Sequence, residues 1–136
     1  SEEDDFEERL INWGRWARGR PKRNMSPLAK LQLPEEEEEQ RVPPVDPVDV
    51  EDALLIQAAW QRMPMAPLRY KAIKLLIGYS YAYRQVDPVR LIRRRHRIAI
   101  REREVEQMMV YGRRMMMNIV RQIGKEAEKA SVNRLT

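Results

Sequence analysis

All nine prolines of this 136-residue chain fall between positions 21 and 88. Proline lacks the amide donor that helices and central strands need, and its ring clashes with the preceding turn. Both ends of the chain are therefore open to long uninterrupted elements, while the middle is cut into short ones. Pro64 and Pro67 bracket a break. Asp87-Pro88 reads as a helix start, a capping carboxylate followed by proline at the first helical position.

Between these cuts the apolar spacing is helical. Phe6, Leu10, Trp13 and Ala17 recur at steps of four and three, which predicts a helix over 3–18 with one buried stripe. Its acidic residues crowd the first turns, and Arg15 and Arg18 stand in the last, the order the helix macrodipole favours. A second helix is expected from Asp49, with Leu54, Ala58 and Gln61 beside Ala53, Ile56 and Trp60. A third is expected over 67–82, with Leu68, Ala72, Leu75, Leu76 and Tyr79 inward. A short fourth helix follows Pro88. After the turn RIAI comes a fifth helix to about 124, with Val105, Met109, Gly112, Met116, Ile119 or Val120, and Ile123 on its buried stripe. Met115 and Met117 cannot both join that stripe and are expected at a partner surface. No alternating pattern competes, so the expected fold is all-α.

Residues 1–18 then form an N-terminal amphipathic helix and 19–48 a Pro/Glu-rich arm containing the EEEEE block. A compact helical domain fills 49–124, and a flexible tail 125–136. Like-charge blocks stay solvated because they cannot bury enough apolar surface.

Charge divides the chain. Residues 1–65 hold 9 basic and 15 acidic side chains; residues 66–136 hold 17 and 6, a net of +11. A basic half of this kind gathers phosphate and gains from released counterions. There is no cysteine and one histidine, so neither a disulfide nor a four-ligand zinc site is expected. No apolar run reaches membrane-spanning length, and SEEDDFEE is the opposite of a secretory signal, so the expected setting is cytosolic. No paired-carboxylate, P-loop or Gly-rich fingerprint appears, and His96 stands among arginines that disfavour its protonation. Neither enzyme activity nor a cofactor or small-molecule substrate is expected.

The basic character peaks at 88–123, where a short helix, a turn and a longer helix have the order of a helix-turn-helix. In that motif the start of the second helix meets base edges in the major groove. Arg101, Arg103, Glu104 and Gln107 are the base-reading candidates, since arginine grips guanine, glutamine adenine, and glutamate accepts from cytosine. Arg93, Arg94, Arg95, Arg97 and Arg114 are assigned to phosphate. A bland alternative is a solvated arginine face on an ordinary helix pair. In YSYAYR, Tyr79 to Arg84, the tyrosines could stack on bases, although a place at the rim of the core is the commoner use.

LINWGRWAR, a Pro-rich arm, VDVEDALLIQAAW, RYKAIKLLIGYSY and the C-terminal helix pair occur in that order. This order resembles the phage late-gene antitermination protein Q family, in its zinc-free branch, whose domain is similar to region 4 of sigma factors. The resemblance implies a protein of the bacterial host cytoplasm. It would bind DNA at a late promoter, load onto paused RNA polymerase, with or without a sigma factor, and promote read-through by narrowing the RNA exit channel. Arg101, Arg103, Glu104 and Gln107 match the start of the family's DNA-reading helix, and Arg93 to Arg97 the preceding helix and turn. Trp13, Arg15, Trp16 and Arg18 match the N-terminal segment and are the implied polymerase contacts. The turn HRIAI departs from the small residues usual there, and the acidic opening is stronger than the family pattern. From the residues alone, a DNA-binding regulator that stays on its site, a terminase recognition subunit and a helical protein–protein adaptor also remain open.

Overall fold

A computed structural model describes residues 1–19, 48–83 and 87–135, and these residues form five helices. They are α1 Glu2–Gly19, α2 Val50–Arg62, α3 Leu68–Ala82, α4 Pro88–His96 and α5 Glu102–Leu135. The fold is all-α. Most of the expected Pro/Glu-rich arm, including the acidic block, lies outside the described residues, as does Arg84.

The caps follow from local chemistry. Asp52 donates its amide to the Asp49 carboxylate at 3.0 Å, which starts α2. Asn12 of α1 clasps the same cap through both ends of its amide, accepting from the Asp49 N–H and donating to the Asp49 carbonyl, each at 2.9 Å. One side chain thus fixes where α2 begins relative to α1. Asp87 caps α4 by accepting from the Arg90 amide, with Pro88 in the first turn.

α1 joins the common core and is no separate domain. It packs on α2 and α3; α3 also carries α4 and α5, and α5 returns to α2. Phe6, Leu10, Trp13, Trp16 and Ala17 are buried with Ile56, Trp60, Ile73, Leu76, Ile77 and Met116 in one cluster. The buried indole of Trp13 donates to Gln57 Oε1 at 2.8 Å, so neither polar group is left unsatisfied. At Gly14 the α1 backbone runs so close to α3 that a Cβ would lie 2.0 Å from the Tyr81 carbonyl oxygen. A three-helix link spans the rim: the Tyr81 hydroxyl donates to Glu7 of α1 at 2.5 Å and accepts from Arg113 of α5 at 3.5 Å. Burial and the Glu7 carboxylate push that phenol well above its usual range.

Several expectations are corrected. Leu68 is 62% exposed and Leu54 50% exposed, and Gln61 is exposed too, because each projects past the edge of the core that its neighbours fill. Met108 and Met117 are buried on α5, and Met115 is half-buried. Both Met115 and Met117 are thus absorbed by the chain itself, since α5 is flanked by α3 on one side and the start of α1 on the other. The helix does not end at Gly124 but continues to Leu135. Lys, Glu and Ala, all strong helix formers, follow Gly124, and an Arg62–Glu126 ion pair at 2.9 Å ties the extension to α2.

Candidate nucleic-acid interface

α4 turns its apolar side, Leu91 and Ile92, into the core against α3. That leaves Arg90, Arg93 and Arg94 outward, spaced i, i+3 and i+4 so that they share one helical face, with Arg97 beside them just past the end of the helix. Together they line an open groove of about 480 Å³. Among the described residues no carboxylate pairs with Arg90, Arg93 or Arg97. Like charges at i,i+4 repel, and the negative end of the helix dipole in the last turn offsets part of that repulsion. A bound anion would relieve the rest.

The turn after α4 depends on Arg97. Its φ of 61° and ψ of 34° place it in the left-handed region, and its amide donates to the Arg93 carbonyl at 3.1 Å. This closes α4 and sends Ile98 into the core, where it is 6% exposed. Glycine is the usual occupant of such a position. Here the groove gains a fourth guanidinium instead.

α4 and α5 are joined through α3 more than through each other. His96, last residue of α4, meets the buried Tyr79 of α3, with Nε2 2.8 Å from the hydroxyl. Burial, then the charges of Lys71 and Arg95, lower its pKa from the ordinary 6.5. In the other direction, Gly112 of α5 lets that helix sit directly on Ile73 and Ile77; a Cβ there would lie 2.9 and 2.8 Å from them.

The assigned site residues separate on this frame. Arg101 precedes α5 and accepts the Glu104 amide on its carbonyl at 2.9 Å. Arg103 and Gln107 are exposed one turn apart on the outer face of α5. Glu104 is half-buried at the rim of a second groove of about 230 Å³, lined also by Leu68, Arg69, Ile98, Ile100 and Met108. The four residues therefore do not present one reading edge. Arg94 lies in the groove with Arg93 and Arg97, whereas Arg95 is exposed and does not line it. Arg114 stands away from the groove and faces the acidic start of α1, with its Nε 3.2 Å from Glu3. Arg121 pairs with Glu2 in the same region.

The implied polymerase contacts change most. Trp13 and Trp16 are 1% and 8% exposed, so their indoles hold α1 to the core and offer no outward surface. Arg18 donates to the Tyr81 carbonyl at 2.8 Å, in the narrow gap that Gly14 leaves open; Arg15 is half-buried. Tyr79 and Tyr83 are buried and Tyr81 is tied to Glu7, which takes them out of any base-stacking role.

Arg90 also belongs to the groove although it stands outside the contiguous arginine run; its spacing of three and four residues from Arg93 and Arg94 is the sequence signal for it. Among the described residues no helix is long and apolar enough to cross a membrane. No known protein family, curated protein or solved structure matches the chain.

Proposed function

We propose that the chain is a phage-type transcription antitermination factor of the bacterial cytoplasm. It binds promoter-proximal duplex DNA, loads onto paused RNA polymerase, with or without a sigma factor, and promotes read-through of pauses and terminators by altering the RNA exit channel. The observation that carries the DNA half is the groove of Arg90, Arg93, Arg94 and Arg97, four exposed guanidinium groups placed one turn of chain before the exposed Arg103 and Gln107. Guanidinium groups in such an array pair with phosphate oxygens and fix register, while residues at the start of the next helix reach base edges. The polymerase half rests on the resemblance in segment order.

A purified transcription assay across a terminator tests the reading, with and without the upstream promoter DNA. Read-through that requires the protein and that DNA is expected. Duplex binding that falls steeply with salt but leaves terminator efficiency unchanged would instead mark a regulator that stays on its site. Absence of duplex binding at low salt would overturn both and leave a protein–protein adaptor.

A further inference from the structure

Two of the five tyrosines meet across the α3–α5 boundary. Tyr70 and Tyr111 lie 41 positions apart, yet their rings are 6.4 Å apart centre to centre and nearly parallel, at 15°. The neighbouring Tyr70 hydroxyl raises the Tyr111 pKa, and the charge of Arg69 acts in the opposite direction. Tyr111 is 49% exposed, in contrast to Tyr79 and Tyr83 inside the core. It follows Gln107 by four residues and so continues the outer side of α5 one turn beyond the candidate reading residues. Arg69 also lines the groove beside Leu68 and the 98–100 turn, which places a guanidinium at the α3 end of this surface.

A flat exposed ring held by a neighbouring ring and next to a guanidinium suits one kind of ligand. A base offers a π-face to the ring, and its phosphate offers charge to the arginine. A paired base inside a duplex has no free face; an unpaired one does. We propose that Tyr111, braced by Tyr70, is a stacking platform for an unpaired base of single-stranded DNA, with Arg69 holding the adjoining phosphate. The proposal rests on the nucleic-acid reading of this face, but not on duplex binding by the α4 groove. It extends the contact from duplex to a strand that leaves it.

The test is equilibrium binding of a short labelled oligothymidylate to the full chain at low salt. Tyr111→Ala is expected to weaken binding about 5- to 150-fold, the loss of one stacked base. Tyr111→Phe keeps the ring and should stay within a few-fold of the parent. Arg69→Ala should flatten the salt dependence. The idea is overturned if the parent chain fails to bind the oligomer, if Phe and Ala at 111 lose binding alike, or if oligouridylate of equal length binds more tightly than oligothymidylate. Duplex binding measured in parallel separates the two readings. Alanine variants of the α4 arginines should impair duplex binding, and Tyr111→Ala should leave it intact. A chain that binds duplex but not the oligomer loses only this proposal; one that binds the oligomer but not duplex keeps it and loses the proposed promoter binding.

Discussion

Trp60 and Lys74 hold each other at both ends: the Trp60 indole donates to the Lys74 carbonyl at 2.9 Å, while the Lys74 ammonium sits 4.8 Å above the same ring. That ammonium also donates to the Gln61 and Met63 carbonyls, at 3.2 and 3.0 Å, where α2 has run out of amide donors. A buried lysine thus serves as the C-terminal cap of α2 and as the joint between α2 and α3. Replacing Lys74 by Met should cost about 1.5–3 kcal/mol in urea unfolding, the range for charge-assisted bonds. A double-mutant cycle with Trp60→Phe should show coupling above about 0.5 kcal/mol. Additive losses would mean that the two contacts are independent.

Gly14 and Gly112 both permit close helix approach, but what they approach differs. A methyl group at 14 meets the Tyr81 carbonyl, backbone that cannot rotate away. At 112 it meets the side chains of Ile73 and Ile77, which can repack. Overpacking costs about 1–3 kcal/mol, against a gain of up to about 1 kcal/mol in helix propensity. Gly14→Ala should therefore lower the melting temperature well below that of Gly112→Ala. Equal effects would place the tight approach elsewhere.

These contacts mark the boundary of what the sequence could disclose. Leu10, Trp13, Ile56, Trp60 and Met116 fall where helical spacing puts them, because periodicity alone decides which side of a helix is apolar. The partner of each stripe does not follow from spacing. Trp13 meets Gln57 at a separation of 44 residues, and no local pattern shows that its indole N–H is satisfied internally. Without that, an exposed tryptophan ready for a partner read as well as a buried one. Leu68 failed for a different reason: it belongs to the α3 stripe, but its turn extends beyond the core. At the interface, Asp87-Pro88 located α4 correctly, and the arginine run marked the basic face. Arg114 could not be placed, because its partner Glu3 is 111 residues away.

Arg97 makes stability and binding move in opposite directions. A non-glycine residue in the left-handed region costs about 1–2 kcal/mol. Arg97→Gly should raise the unfolding midpoint and weaken duplex binding. Removing one phosphate contact should also lower the slope of log affinity against log salt by about 0.9. A variant that is both more stable and an unchanged binder would remove Arg97 from the interface.

His96 links α4 to pH. Its folded pKa is below the ordinary 6.5 because of burial and the charges of Lys71 and Arg95. In the unfolded chain it takes up a proton near that ordinary value, whereas in the folded chain it does so only at lower pH. Its contribution to stability is therefore complete above about 6.5 and is lost as pH falls towards the folded value. The parent should lose more stability than His96→Gln between neutral and mildly acidic pH. Parallel curves would mean that Tyr79 holds His96 equally well in either protonation state.

The pairing of Arg114 with Glu3 and of Arg121 with Glu2 sets a limit to the basic face. A carboxylate at each guanidinium lowers the local positive potential and would repel an approaching phosphate. Arg114→Ala should therefore change duplex affinity little, unlike Arg93→Ala. In a Glu2→Gln, Glu3→Gln background both arginines become available to phosphate, and affinity at low salt should rise with a salt slope steeper by up to about 2. Restoring the Arg114→Ala change in that background should then remove about half of the increase. If the double glutamine variant binds no more tightly than the parent, DNA does not pass near this part of α5, and the contact ends within the first turns of the helix.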